Sequence, residues 1–210
     1  MNKGSKKPEV IALSGCYGEN NMGDDILLVS LLRGLRKKFP GGHFVLFSAD
    51  CRKTRRLLEQ EGFPLSVVDC IYSGRWGFRE KQKSFVPSFY WFFRTFTWLK
   101  RSDLFIVGPG NPILDHTNRF KVVFYGSRAF LAWLLGTPVA YVGVGVGAVR
   151  WWFSKIFFRF IGNRAVFISP RDAYSGRDLK KLGIYKAPVI PLADLSFCEV
   201  NGKQYASSKF

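Results

Sequence analysis

The sequence is short of acidic side chains. Its 210 residues include 15 Asp and Glu against 32 Lys and Arg, which gives a formal net charge of +17. Such a charge favours anionic partners: phosphorylated small molecules, acidic polysaccharide, an anionic membrane surface or nucleic acid. It can also serve solubility alone. Nucleic acid is the weakest of these candidates, because the basic residues are scattered and no helix-turn-helix or RNA-binding motif is present.

Side chains that bind metals are also scarce. The two histidines share no metal-ligand spacing with the four cysteines, and the cysteines form no C-x-x-C pair. We therefore predict no metal site and free thiols. The basic N-terminal stretch has no export signal, so free thiols predict a cytoplasmic protein. No uninterrupted run of about 18 apolar residues occurs, which argues against a membrane-spanning helix.

The chain alternates short apolar runs with longer amphipathic ones. "VIALSG", "HFVLFSA", "DLFIVG" and "PVAYVGVG" are typical of strands, and "DDILLVSLLRGLRKKF" is typical of a helix. Continuously apolar strands between helices indicate a sheet that is covered on both faces. We predict an α/β fold with a doubly wound, mostly parallel, Rossmann-like sheet over residues 9–197. Residues 1–8 are predicted to be a basic tail, and residues 198–210 a polar tail or truncated linker.

Ligands of open α/β sheets collect at the carboxyl ends of the strands. The loop after the first strand contains Gly18-x-x-x-x-Gly23, which has the glycine spacing of a phosphate loop. Asp24 and Asp25 stand where that loop needs Lys and Ser or Thr, so the phosphate motif fails. Either acid can cap the following helix. The alternative is that the loop holds a sugar hydroxyl through Asp24, Asn20 or Asn21.

The loop "GPGNPILDHTNR" follows a second strand and contains Gly108, Gly110 and Asn111. Asp115 and His116 close it. Histidine is the side chain best suited to exchange protons near neutral pH, so His116 and Asp115 are catalytic candidates. The alternative is a helix cap or an ordinary surface position.

Two further loops carry candidates. In "GVGVGAVR", Gly145 and Gly147 would let a ligand or another backbone approach closely, or pack tightly against a helix. In "SPRDAYSGRDL", Ser169 and Pro170 are suited to begin a helix. Arg171 can clamp a carboxylate or phosphate. Alternatively it forms a structural ion pair, with Asp172 or Asp194.

Five stretches together resemble the polysaccharide pyruvyl transferase family. They are "GCYGENNMGDDILL", "DLFIVGPGNPILD", "GTPVAYVGVGVGAV", "ISPRDAYSGRDLKKLGI" and "ADLSF", in the family's order over about residues 10–197. The sequence departs from the family pattern in three places. Pro109 interrupts the expected glycine triplet, Ala148 replaces a proline, and Asp25-Ile26-Leu27 replaces the usual Glu-Ala-Ile.

The resemblance implies one half of a glycosyltransferase-B-like (GT-B-like) architecture. It implies transfer of the pyruvyl group of phosphoenolpyruvate onto a sugar of a cell-envelope or exopolysaccharide precursor, with no cofactor beyond that donor substrate. The acceptor would be a sugar or lipid-linked saccharide, and a second domain or second subunit would complete the cleft. Substrate binding would then fall to the loop residues Gly18, Asn20, Asn21, Gly23, Asp24, Gly108, Gly110, Asn111, Gly145, Gly147 and Asp194.

Two alternatives remain at this point. The protein can be a non-catalytic or decayed homologue that binds anionic glycan, a membrane surface or a partner subunit. Separately, "FYWFFRTFTWLKR" and "WWFSKIFFRFIG" are basic helices rich in Trp and Phe. Such helices can lie on an anionic bilayer, which would place the protein at the inner face of the membrane, or can simply pack in the fold.

Overall fold

The computed structural model describes residues 8–19, 21–72, 87–115 and 121–191, with the side chains of 87–91 left aside. In these ranges seven strands form one sheet. The strands are β1 (Val10–Ser14), β2 (His43–Ser48), β3 (Val68–Tyr72), β4 (Leu104–Val107), β5 (Gly110–Ile113), β6 (Val139–Val146) and β7 (Phe167–Pro170). The helices are α1 (Met22–Lys38), α2 (Cys51–Gln60), α3 (Pro87–Arg101), α4 (Lys121–Leu134), α5 (Trp152–Gly162) and α6 (Ala173–Lys181).

All strand pairs are parallel, as predicted. The order runs β3-β2-β1-β4-β6, and both β5 and β7 pair with β6. β4 pairs with residues 139–141 of β6 and β5 with residues 144–146, so β5 continues the line of β4 along β6. Chain order therefore reverses between β1 and β4, and this reversal marks the expected ligand crevice.

Each face of the sheet carries its own apolar layer. α1 and α2 cover one face, where Leu28 and Leu32 pack beneath fully buried strand residues such as Leu46. α3, α4, α5 and α6 contribute to the other layer, which includes Leu99, Phe158 and Leu179. Strands buried on both faces explain the continuous apolar runs of the sequence.

Three local expectations were wrong. The loop after β4 was expected to be irregular, but Gly110–Ile113 resumes pairing as β5, because glycines at 108 and 110 adopt positive φ angles (110° and 114°) that redirect the chain. Asn21 caps α1, and the aspartates lie in its first turn. Asp172 caps α6, and Ser169 and Pro170 belong to β7.

Candidate functional site

The loops that follow β1, β4 and β6 meet at the carboxyl edge of the sheet, around the reversal of strand order. In the first loop, Gly18 has a φ of 72°, and a Cβ there would lie 2.6 Å from Ser48 Oγ. Only glycine fits this turn without strain. The turn delivers Asn21, whose side-chain oxygen accepts a hydrogen bond from Gly23 N at 3.1 Å. Asn21 Nδ2 also donates to Asp24 Oδ2 at 2.7 Å.

The loop after β4 contacts the first loop directly. The hydroxyl of Tyr17, which is buried, donates a hydrogen bond to the carbonyl of Gly108. Gly110 faces the carboxylate of Asp24, since a Cβ on Gly110 would lie 2.9 Å from Asp24 Oδ1. The two loops predicted separately from the sequence thus form one wall of the crevice.

The carboxyl edge brings together Asn111 from β5, Gly145 from β6 and Arg171, which directly follows β7. A Cβ on Gly145 would clash with Asn111 Oδ1 and would lie 3.0 Å from Arg171 Nε. The backbone nitrogen of Arg171 donates to the Val144 carbonyl at 3.1 Å, which fixes the base of the side chain against β6. The absence of a side chain at Gly145 therefore leaves room for both the Asn111 amide and the Arg171 guanidinium beside β6.

Arg171 forms the ion pair with Asp172 that was one of its predicted alternatives. Arg171 Nε lies 3.2 Å from Asp172 Oδ2, and both side chains are partly exposed. Asp172 Oδ1 also accepts from Ser175 N at 2.6 Å. Burial raises the pKa of Asp172, but the hydrogen bonds from Ser175 and the neighbouring Arg171 guanidinium together outweigh burial and hold that pKa below its usual value. A clamp function of Arg171 toward a ligand stays a prediction.

Asp115 is buried, and both of its oxygens are hydrogen-bonded. Oδ1 accepts from Arg150 N at 2.7 Å, and Oδ2 accepts from Trp151 N at 2.9 Å. The carboxylate thus anchors the turn into α5, and its predicted catalytic role stays untested beside this structural one. The other candidates Asn20, His116 and Asp194 lie outside the described residues.

Gly147 stands apart from the cluster around Gly145. A Cβ on Gly147 would clash with Leu114 Cδ1, and its backbone nitrogen donates to the Ile113 carbonyl at 3.0 Å. This glycine lets the end of β6 close against β5. Another segment of the backbone therefore approaches Gly147, where one interpretation of the loop expected a helix, and ligand contact by Gly147 stays a prediction.

No motif of the sequence singles out Lys121, which interacts electrostatically with Asp24. Burial raises the pKa of Asp24, while Lys121, the hydrogen bond from Asn21 and, more weakly, Arg171 oppose that rise. Lys121 is the first residue of α4, the helix that follows β5. Its position just after a carboxyl-edge loop is the only signal that could have found it.

A further cation lies buried below the same edge. Arg128 donates from Nη1 to Ser14 Oγ, at the end of β1, over 3.1 Å. Its guanidinium carbon lies 4.3 Å from the centre of the Phe124 ring. Burial lowers the pKa of Arg128 to about 10, so the group stays charged at neutral pH. Arg128, Lys121 and Arg171 thus bring three cations to the carboxyl edge of the sheet, where the carboxylates of Asp24 and Asp172 also lie.

A Rossmann-like parallel sheet of this kind is the fold of one half of a GT-B-like protein. The family model "Polysaccharide pyruvyl transferase" matches residues 21–208, and the chain belongs to that family. The family resemblance inferred from the five stretches is therefore confirmed. No curated protein matches the sequence.

Solved structures share the fold at low sequence identity. The Staphylococcus aureus MnaA–UDP co-structure matches with a TM-score of 0.56 and 10% identity, over 90% of this chain and 46% of that one. The UDP-GlcNAc 2-epimerase from Neisseria meningitidis bound to UDP-GlcNAc matches with a TM-score of 0.54 and 14% identity, over 89% and 47%. The UDP-GlcNAc 2-epimerase from Methanocaldococcus jannaschii matches with a TM-score of 0.54 and 14% identity, over 88% of this chain and 45% of that one. The chain thus spans about half the length of these relatives in fold.

Among the described residues, none of the helices combines the length and the apolar character that crossing a bilayer requires.

Proposed function

We propose that the protein is a pyruvyl transferase that moves the pyruvyl group of phosphoenolpyruvate onto a sugar of a cell-envelope or exopolysaccharide precursor. The observation that carries the proposal is the convergence of Asn111, Gly145 and Arg171 at the carboxyl edge, beside Asp24. Membership of the polysaccharide pyruvyl transferase family supports the reaction class.

The donor carries a phosphate and a carboxylate, and both need cationic partners. In the proposal Arg171 and Lys121 supply them, since both interact with Asp24 across the crevice. Asn21, Asn111 and Asp24 offer amide and carboxylate groups that suit sugar hydroxyls. Because the chain spans about half of its structural relatives, a second domain or a partner subunit is proposed to complete the donor pocket.

Ketal formation sets the proton requirements. C3 of phosphoenolpyruvate gains a proton, and one sugar hydroxyl oxygen bonds to C2. The C2–O bond to phosphate breaks, and a second hydroxyl oxygen closes the ketal. Of the two hydroxyl protons released, one balances the proton gained by C3 and the other leaves with phosphate. His116 and Asp115 are the proposed acid and base. Asp24 is a further candidate, because burial raises its pKa and so favours a protonated carboxyl.

Phosphate release tests the proposal. The chain, together with the second domain or partner subunit that completes the donor pocket, is incubated with phosphoenolpyruvate and a panel of amino-sugar acceptors, and inorganic phosphate is measured over time. Arg171→Ala is expected to abolish acceptor-dependent release. Arg177→Ala is the matched control, because that arginine is exposed on α6 and stacks on the Tyr174 ring at 4.5 Å. Equal rates for the two variants would return Arg171 to a structural role.

The second candidate function is a non-catalytic homologue that binds anionic glycan or a partner subunit. It is favoured by the fact that Asp115 binds two backbone amides and that Arg171 already pairs with Asp172. Calorimetric binding of an acidic oligosaccharide without phosphate release from any acceptor would support this function and overturn the transferase proposal.

A further inference from the structure

Aromatic side chains of α4 and α5 form a continuous surface, here called the aromatic patch, in which four of the six rings are exposed and Phe130 and Phe157 are half-buried. Its rings make successive contacts with centres 5.6–6.3 Å apart. The ring members are Phe130, Trp133, Trp152, Phe153, Phe157 and Phe160. Trp152 is 70% exposed, and Ile156, one helical turn further along α5, is 60% exposed. A contiguous apolar surface of this kind marks an interaction site.

Cations border the patch. Arg164 lies over the Phe160 ring at 3.6 Å and over Trp133 at 4.8 Å. Beside it, a groove of about 600 Å³ is lined by Arg159, Arg164 and Lys186 together with Phe160, and none of its lining residues is acidic. Lys155 is exposed on α5 itself. Apolar rings and cations therefore share one face of the molecule.

The sequence around this face has no negative charge. Residues 116–171 contain no Asp or Glu, whereas they contain eight Lys and Arg. The two helices that build the patch, α4 and α5, lie entirely within this stretch. The segment that exposes the aromatic patch therefore contains basic residues without any acidic residue to balance them.

We propose that the aromatic patch and its basic groove bind the surface of an anionic lipid bilayer. Trp and Phe side chains partition into the boundary between headgroups and acyl chains, while Lys and Arg attract anionic headgroups. α5 starts directly after Trp151, whose backbone binds Asp115 at the carboxyl edge. The bound membrane would therefore begin beside the candidate site. The inference does not depend on the proposed reaction.

A second copy of the chain fits this surface less well. A two-fold dimer places the same patch on itself, which would bring Arg159, Arg164 and Lys155 close to their own copies. No carboxylate in residues 116–171 is present to compensate them, and like charges across an interface oppose association. Phosphate headgroups supply the missing charge.

Flotation with vesicles tests the proposal with the full chain. Neutral vesicles of phosphatidylcholine are compared with vesicles that also contain phosphatidylglycerol, at low and high salt. The protein is expected to float with the anionic vesicles and to lose most of that binding at high salt, since each basic residue near the surface contributes about fivefold in partitioning. Failure to float with anionic vesicles, or equal flotation with neutral ones, would overturn the proposal.

Two pairs of variants separate the patch from general charge. Trp152→Ser with Ile156→Ser removes apolar contact, and Tyr174→Ser is its control, an exposed aromatic outside the patch. Lys155→Glu with Lys186→Glu reverses two charges at the patch. Lys37→Glu with Lys38→Glu makes the same change on α1, which covers the opposite face of the sheet. The patch variants are expected to lose at least tenfold in partitioning, and the controls less than threefold.

Equal losses of vesicle binding in the two charge-reversal variants would overturn the proposal that the aromatic patch binds the membrane specifically. Light scattering on the same proteins tests whether a second copy of the chain binds the patch instead. A dimer that the Trp152→Ser and Ile156→Ser changes dissociate, without flotation of the parent protein, would identify the patch as an interface between copies and refute the membrane proposal. Circular dichroism on every variant confirms that the fold is retained, as expected for side chains this exposed.

Discussion

Replacing Gly145 with alanine probes the closest contact in the candidate site. The new Cβ would overlap Asn111 Oδ1 and would lie 3.0 Å from Arg171 Nε. The φ angle at Gly145 is not among the positive ones, so any effect arises from contact and not from backbone strain. Inserting one methyl into a packed site destabilises by about 1–3 kcal/mol. For a chain of this size the melting temperature should fall by about 2–12 °C.

Gly34→Ala is the matched control for this substitution. Gly34 lies within α1, and a Cβ there would meet nothing within 4 Å. Alanine is favoured over glycine inside a helix by about 0.5–1 kcal/mol, so the melting temperature should rise by about 1–4 °C. The two glycine-to-alanine changes are thus expected to have opposite signs, which thermal unfolding followed by circular dichroism measures directly.

Asn111→Ala completes a double-mutant cycle. It removes the oxygen that the new Cβ would strike, so the double variant should be more stable than the sum of the two single effects predicts, by roughly 1–2 kcal/mol. Urea unfolding supplies the free energies. If Gly145→Ala leaves stability unchanged, or if the two effects simply add, then Asn111 and Gly145 do not meet as described and the site geometry is wrong.

Three further predictions concern Cys, Asp and helix-terminal groups. A hydrogen bond from Cys70, aided by nearby arginines, lowers the pKa of Cys51, whereas burial raises the pKa of Cys16 to about 11; iodoacetamide should therefore label Cys51 well before Cys16, and peptide mass spectrometry showing the reverse would refute this. Asp172→Ala should destabilise by about 0.5–2 kcal/mol at pH 7 through loss of the helix cap. Because the folded-state pKa of Asp172 is lowered, that difference should shrink as the pH falls through it, and a constant difference down to about pH 3 would contradict the cap. Asp115→Asn keeps the shape of the side chain but replaces one of the two oxygens that accept hydrogen bonds from backbone N–H groups and removes the charge. The free energy of unfolding should fall by about 1–3 kcal/mol in urea titrations, and an unchanged value would show that the contact is weak.

The sheet was predictable because its strands are buried on both faces, which leaves continuous apolar runs in the sequence. β5 was not predictable, since Gly110 and two prolines resemble a loop when they are considered without β6. The final apolar run, "APVIPLAD", has the apolar character of a strand. Within the described residues it contributes only an isolated bridge between Val189 and Ile168.

The helix caps were also predicted wrongly, because the capping residue depends on backbone conformation. The start of α1 offers Asn21, Asp24 and Asp25 in close succession, and all are residue types that cap helices. Only the backbone conformation selects Asn21, and that conformation depends on the turn at Gly18. Residue type thus limits the capping candidates to these three side chains, and the local backbone geometry decides which one caps α1.

The candidate site was also predictable only in part. The carboxyl-edge rule identified the loops that contain Asp24, Asn111 and Arg171, because the chemistry of an α/β sheet follows from its topology. It did not identify the meeting of Asn111 with Gly145 or the approach of Lys121 to Asp24. Those contacts depend on how β5 continues β4 along β6, and no local pattern encodes that register.

The strand order has a consequence for synthesis of the protein. Tyr17 bonds to Gly108, 91 residues further along the chain, and Ser14 accepts from Arg128, 114 residues further along. A ribosome adding about 5–20 residues per second needs roughly 5–18 s to cover the shorter interval. During that time one hydrogen-bonding edge of β1, destined for the centre of the sheet, has no β4 to pair with and is open to other nascent chains.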